Sequence, residues 1–255
     1  MILTRLGNKK RHAADIYKYF MPHKMRIELF FGAGGAFFNM PRPRYAVLND
    51  FDDEVFNLYT VLKNSRTALE CELKQMPVST TLLKFWKENK EIDPVTKACR
   101  FLLLSNFTYL GKGDTLRIGI SNVKQNILNN ISSTLERLGD YQITNYDFRQ
   151  VINKINFSEG LLVKEDCFCY LDPVYLDTEH FYNVPNWSVS DTIDCLDLML
   201  NCGINCAMSE FNHDTVLKEA EKRNLFIVPI GERRNIKNRR IEILILNYKP
   251  QNQLF

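Results

Sequence analysis

The sequence predicts an α/β fold, an open and largely parallel sheet with helices on both faces. Three observations carry this. Short apolar runs alternate with longer segments of helical periodicity along most of the chain. Gly32-Ala33-Gly34-Gly35 separates two such runs, residues 26–31 and 45–48, in a β-turn-α-β arrangement. A third run, residues 167–171, gives out at Asp172-Pro173, so an acid and a helix-forbidding ring stand at the C-terminal end of a buried strand. Open α/β sheets place their ligands at such ends.

Composition sets the limits. A chain of 255 residues, 45% hydrophobic and 25% charged, suits one large globular domain, or one with an insertion. No run approaches the roughly 18 apolar residues of a membrane span. The first residues lack the pattern of a secretory signal, so a cytoplasmic protein is expected. Seven cysteines without a Cys-x-x-Cys pair fit reduced thiols. Cys202 and Cys206 could share a helix face, but the histidines at 12, 23, 180 and 213 give no partner with metal spacing, and no metal site is expected. The net charge of +3 is small, yet the basic residues cluster at Lys9-Lys10-Arg11 and at Arg233, Arg234, Lys237, Arg239 and Arg240. Clusters of this kind suit a polyanion, or a solvated face.

In chain order, a turn at Gly7-Asn8-Lys9 leads into a helix over residues 11–20, ended by Pro22. Such a turn aims backbone N–H groups and a lysine at one point, which favours an anion or serves as a plain loop. The strand over residues 26–31 carries Phe30 and Phe31 into the glycines, and two prolines between 39 and 44 leave room only for a short helix. The strand over 45–48 ends at Asn49-Asp50, an acid placed to hold two ribose hydroxyls. Phe37 breaks the dinucleotide pattern G-x-G-x-x-G, so a nucleoside is expected here and a pyrophosphate is not.

Residues 54–130 turn helical, with helices expected over 55–62, from 81 and over 97–104. A glycine-punctuated loop or hairpin over 106–119 carries Tyr109 and Lys112, a shape for entering a nucleic-acid groove or for an ordinary surface turn. A helix over 131–138 and a strand over 142–145 follow, the strand delivering Asp147-Phe148, which can hold a purine by its amine and its face. After a helix over 149–155, the strand over 167–171 presents Asp172-Pro173-Val174-Tyr175. There the carboxylate and a carbonyl can accept from an exocyclic amine while the ring stacks on a base; the same residues also suit a tight turn. A polar, aromatic loop over 177–190 (His180, Phe181, Tyr182, Trp187) is placed to close over a site. Helices over 190–200 and 215–223, a strand over 205–209, and a hairpin of strands 225–229 and 241–248 around the basic loop complete the chain.

The ordered set resembles the Dam-type, DPPY-class DNA adenine-N6 methyltransferases. Gly7-Asn8-Lys9 stands for the family's Gly-Gly-Lys turn and Phe30-Phe31-Gly32-Ala33-Gly34 for its Phe-x-Gly-x-Gly. Asp50 stands for the acid after the next strand, residues 54–130 for the recognition insertion, and Asp147-Phe148 for the Asp-Phe. Asp172-Pro173-Val174-Tyr175 stands for Asp-Pro-Pro-Tyr, residues 209–214 for Ser-Asn-His-Asp, and residues 233–248 for the basic hairpin.

The resemblance implies an S-adenosylmethionine-dependent methyltransferase (Rossmann-like) fold, with residues 1–53 and 131–255 as the catalytic domain and 54–130 as a mostly helical target-recognition insertion. It implies double-stranded DNA as substrate, a flipped adenine methylated at N6, no obligate protein partner, and a bacterial or phage-infected cell as setting. S-adenosylmethionine would meet Lys9 beside Gly7 with its carboxylate, Phe30, Phe31, Gly32 and Gly34 with its methionine part, Asp50 with its ribose and Asp147-Phe148 with its adenine. Asp172, at the edge of the cofactor site, and the Pro173 carbonyl would polarise the target amine while Tyr175 stacks on the base. Tyr109 and Lys112 would meet DNA, as would Arg233, Arg234, Arg239 and Arg240. Such an enzyme serves DNA methylation, as in restriction-modification. Three positions depart from the pattern: Val174 for the second proline, Asn8 for the second glycine, and Arg5 for an aromatic. Two other functions share these motifs, a catalytically impaired DNA-binding relative and a methyltransferase acting on RNA or a protein amide.

Overall fold

The computed structural model describes residues 2–250 apart from 6, 118, 120–121, 158–161, 179–182 and 235–238; the side chains at 110, 233, 234 and 239 are also outside the description. Seven described strands form one sheet in the order β3-β2-β1-β4-β5-β7-β6. β1 (Met25–Glu28) runs parallel to β2 (Tyr45–Asn49) on one side and to β4 (Cys167–Leu171) on the other. β3 (Gln142–Thr144) extends the sheet beyond β2, and β5 (Asn205–Phe211) beyond β4, again in parallel. β6 (Phe226–Arg234) and β7 (Arg239–Leu246) form an antiparallel hairpin whose second strand inserts against β5. The chain therefore builds outward from β1 to β3, returns, and builds the other way from β4. The reversal between β1 and β4 opens a crevice at the C-terminal ends of the strands.

Period-two alternation sorts side chains between the faces. Ile27, Cys169, Cys206 and Ile245 pack against α7 (Phe148–Lys154), α8 (Val189–Asn201) and α9 (Asp214–Lys222). On the other face, α1 (Ala13–Tyr17) covers Phe168, Tyr170, Ala207 and Leu244. Beside it, α2 (Asp53–Asn64), α3 (Arg66–Gln75), α4 (Thr80–Glu88), α5 (Pro94–Phe107) and α6 (Val123–Leu138) share one core with Ala46, Leu48 and Phe31. The segment after β2 thus lies on the sheet itself, with the Tyr59 ring 4.9 Å from that of Phe31.

Side-chain caps place the helix starts. Asp52 accepts from Glu54 N in α2, Ser79 from Leu82 N in α4, and Asp93 from Thr96 N ahead of Pro94 in α5. Ser188 and Asp191 form a reciprocal capping box on α8.

Several boundaries differ from expectation. The helix expected over 11–20 is a 3-10 turn (Lys9–Arg11) followed by the five-residue α1, because Phe20 leaves the helix to stack on Phe168 at 4.1 Å. β1 ends at Glu28, although Leu29 N still donates to Tyr170 O of β4 and Phe31 N to Asn49 O of β2. α3 was not expected, since Leu69 and Leu73 are its only described buried residues and give little periodicity to read. α6 begins at Val123 and runs through residue 130, where the sequence placed the end of the insertion. Among the described residues no helix is long and apolar enough to cross a membrane, and no cluster could hold a metal ion.

Candidate active site

A cleft of about 400 Å³ lies along the strand ends. It gathers most residues named from the sequence: Gly7, Lys9, Phe30, Phe31, Gly32, Asp50, Asp147, Phe148, Asp172, Pro173 and Tyr175. From the loop expected to close over a site, Val184, Pro185 and Trp187 also line it; His180, Phe181 and Tyr182 lie outside the described residues.

The glycine turn is built for close approach. Gly32 adopts φ +54°, and a Cβ there would meet nothing within 4 Å, so the backbone faces open cleft. Gly32 N donates to Asp50 Oδ2 at 2.6 Å, tying the turn to the end of β2. Gly34 does not line the cleft; a Cβ there would stand 2.3 Å from the Phe38 ring, which makes its role packing. At Gly35 a Cβ would fall 2.0 Å from Asn8 Oδ1 and 2.9 Å from Lys9 N, so the N-terminal turn lies directly on the glycine turn. Asn8, the residue in the second glycine's place, caps that N-terminal turn by accepting from Lys10 N.

Asn49 knits the neighbouring strand ends. Its Nδ2 donates to Leu29 O and Tyr146 O, and its Oδ1 accepts from Tyr146 N and Thr144 Oγ1. Asp50 and Asp147 are thereby set on one wall. Asp50 also accepts from Asp52 N, and burial pushes its carboxyl up to about 6. Asp147 caps α7 and pairs with Arg149, which also bridges Asp191 and Asp194. The rings of Phe30, Phe148 and Trp187 lie 5.2–5.8 Å apart and form an apolar floor. Arg5 sits on Asp52 at 2.7 Å and on the Phe101 ring, bracing the N-terminal segment against α5.

Beyond β4, Asp172-Pro173-Val174-Tyr175 enters a turn pinned from β5. Leu176 N donates to Glu210 Oε2, and Asp177, at φ 55°, pairs with His213 at 2.9 Å. Lys9 is only 2% exposed and reaches Asp172 Oδ1 at 2.6 Å and Glu242 Oε1 at 3.4 Å. Lys9 was expected to meet a cofactor carboxylate; here its ammonium is held by Asp172 and Glu242. Tyr175 is 7% exposed, its hydroxyl directed at Asp172 and Glu242 and its ring facing Lys9 Nζ and Phe211. Burial pushes both Glu28 and Glu210 up to about 8. Glu28 also lines the cleft, and its Oε1 has no hydrogen-bond partner.

Of the nucleic-acid candidates, Tyr109, Lys112 and Arg240 lie away from the cleft lining. Tyr109 is 63% exposed, in a turn shared with Lys112 and held by the bridge Thr108–Leu116. Arg240 stacks over the Phe211 ring at 5.3 Å. Arg233 and Arg234 pair in backbone register with Arg240 and Arg239; their side chains and that of Arg239 are outside the description, and so is Lys237. Reading the sequence missed Glu28, Glu210 and Glu242. The signal present was an acid inside an otherwise apolar strand, which alternation also allows as an outward position.

Comparison with known proteins adds a family. The model of the D12 class N6 adenine-specific DNA methyltransferases matches residues 6–239. The chain is 29% identical over 111 residues to the DNA adenine methylase of Escherichia coli strain K12, and equally to that of Escherichia coli O157:H7. Each match covers 41% of this chain and 40% of the relative's length. Among solved structures, Trm5b from Pyrococcus abyssi superposes on 96% of this chain and 50% of its own, at 10% identity and a TM-score of 0.37. With the family model covering nearly the whole length, the chain belongs to the D12 class N6 adenine-specific DNA methyltransferases.

Proposed function

We propose that this protein transfers a methyl group from S-adenosylmethionine to N6 of an adenine in double-stranded DNA. The observation that carries the reading is one cleft with the Gly32 turn and Asp50 at one part and Asp172-Pro173-Val174-Tyr175 at another. The open backbone at Gly32 and two acids on one wall fit a nucleoside with a methionine tail. The cofactor, when bound, supplies an electrophilic sulfonium methyl. Asp50 holds its ribose hydroxyls and Asp147 with Phe148 its adenine, while Gly7, Phe30, Phe31 and Gly32 flank its methionine part. Lys9 would serve the cofactor's carboxylate from beside Asp172.

The target adenine leaves the duplex to reach the cleft. Its N6 lone pair is delocalised into the ring and is a poor nucleophile. The Asp172 carboxylate and the Pro173 carbonyl accept from the two N6 hydrogens, which biases the nitrogen toward tetrahedral geometry and frees the lone pair for in-line attack. After transfer the nitrogen carries one proton too many, and Asp172 is the base beside it. Tyr175, which lines the cleft, stacks on the base. Val174 leaves the Pro173 carbonyl in place and removes only some stiffness from the loop.

Tyr109 and Lys112 enter the DNA from the insertion, taken as residues 54–130. Arg233, Arg234, Arg239 and Arg240 meet phosphates. The enzyme acts without an obligate protein partner in the cytoplasm of a bacterial or phage-infected cell. DNA from cells expressing the protein, sequenced for N6-methyladenine, tests this directly. A modified, sequence-defined adenine is expected. A level equal to the empty-vector control would leave a disabled DNA binder, which Val174→Pro would then restore if the missing proline is the cause.

A further inference from the structure

At the crevice end of the sheet face covered by α1, several segments bring polar side chains together, buried except for the partly exposed Asp172, which lines the cleft. β7 contributes Glu242, fully buried, where its neighbours Ile243 and Ile245 point to the opposite face. β4 contributes Tyr170, the loop after it Asp172 and Tyr175, and the N-terminal turn Lys9. Lys9 Nζ stands 2.6 Å from Asp172 Oδ1, 3.4 Å from Glu242 Oε1 and 3.1 Å from Gly7 O. An ammonium has three donors, and these three acceptors match them. The Tyr175 hydroxyl lies between the same two carboxylates, 3.2 Å from Asp172 Oδ1 and 3.1 Å from Glu242 Oε1. It has one proton to give, so Glu242 competes with Asp172 for it.

We infer that Glu242 is a positioning residue for methyl transfer, fixing the Asp172 carboxylate through Lys9 and the Tyr175 hydroxyl. The inference rests on the methyl-transfer reading above. A buried carboxylate in a strand is costly unless paired, and this one is paired to the two groups that also grip Asp172. With Glu242 present, the ammonium is held between two carboxylates at a fixed distance from each. Without it, of the two carboxylates that Lys9 now reaches only Asp172 remains, and Lys9 closes on it and competes with the target amine for the same oxygen. The described groups facing Asp172 include Lys9 from the N-terminal turn, Glu28 from β1, Tyr170 from β4, Tyr175 from its own loop, Glu210 from β5 and, through Lys9 and Tyr175, Glu242 from β7. Lys9 is the cation in direct contact with Asp172 among the described groups, so its sharing bears on how tightly the reacting carboxylate is held.

The test is steady-state methyl transfer to DNA across pH with the full-length parent, Glu242→Gln and Lys9→Met, alongside calorimetric titration with S-adenosylhomocysteine. Methyl transfer by the parent is measured first; its absence would remove the reading of the site, and this inference with it. Given an active parent, Glu242→Gln should lower kcat about tenfold or more, short of the hundred- to thousandfold loss of a direct partner, with cofactor affinity changed less than about threefold. The acid limb of kcat should move in opposite directions. It should fall in Glu242→Gln, where a negative neighbour of Asp172 is gone, and rise in Lys9→Met, where the positive one is gone. A purely structural role would move neither limb. Should Glu242→Gln fail to fold, Glu242→Asp keeps the charge but withdraws the oxygens, and it should still lose kcat. Parent-like kcat in either Glu242 variant, or limbs shifted the same way, would overturn the inference.

Discussion

Asp50 accepts from Gly32 N and Asp52 N, yet burial still pushes its carboxyl up to about 6. Two ribose hydroxyls donate to it most strongly when it is ionised. Affinity for S-adenosylhomocysteine should therefore rise between pH 5 and 7, as the proton leaves, and Asp50→Asn should abolish that rise. Asp50→Ala should weaken binding by about 1–3 kcal/mol through the lost hydrogen bonds. Titration calorimetry at several pH values checks both. Asp50 and Asp172 were legible in the sequence because each follows an apolar run and stands beside a turn former, Asn49 and Pro173, and Asp147 because it follows a short strand and precedes Phe148. Glu28, Glu210 and Glu242 were not legible. Each sits within a strand, where its burial depends on partners far along the chain, such as Lys9 for Glu242.

Turns and caps carry the site at the scale of elements. The glycine turn is pressed against the N-terminal turn at Gly35, where a Cβ would sit 2.9 Å from Lys9 backbone nitrogen. That neighbour is main chain and cannot rotate away. Gly35→Ala should displace the turn bearing Lys9, destabilise the protein by about 1–3 kcal/mol and lower methyl transfer, as thermal melting and activity assays would record; a wild-type melting temperature with full activity would mean the two turns are not coupled. The parallel strands were readable from their apolar runs, and β4 falls at the expected residues. Helix ends were less so. Phe20, beyond the end of α1, stacks on Phe168 of the sheet, a tertiary contact that no local pattern announces.

Across the whole molecule, a net charge of +3 leaves nucleic-acid binding to local clusters. In the hairpin of β6 and β7, Arg233 and Arg234 pair in backbone register with Arg240 and Arg239, on the same strand β7 that carries Glu242. Replacing the four with alanine should weaken DNA binding evenly across sequences. It should also flatten the slope of log affinity against log salt by about 0.9 for each phosphate contact removed; parent-like binding at every salt concentration would leave the cluster a solvated face. The alternation of strand and helix made the overall architecture legible, and the switch between β1 and β4 explains why motifs scattered along the chain meet in one cleft. The helices after β2 were visible as helices, whereas their sharing of the sheet's own core with Phe31 and Leu48 was not. The central claim is that the Asp172 carboxylate activates the adenine amine. Methyl transfer to DNA by Asp172→Ala, measured beside its cofactor and DNA affinities, tests that most directly. A loss of about a hundred- to a thousandfold in rate or more is expected, with the fold and much of the DNA affinity retained; a rate equal to the parent's would mean that Asp172 does not activate the amine.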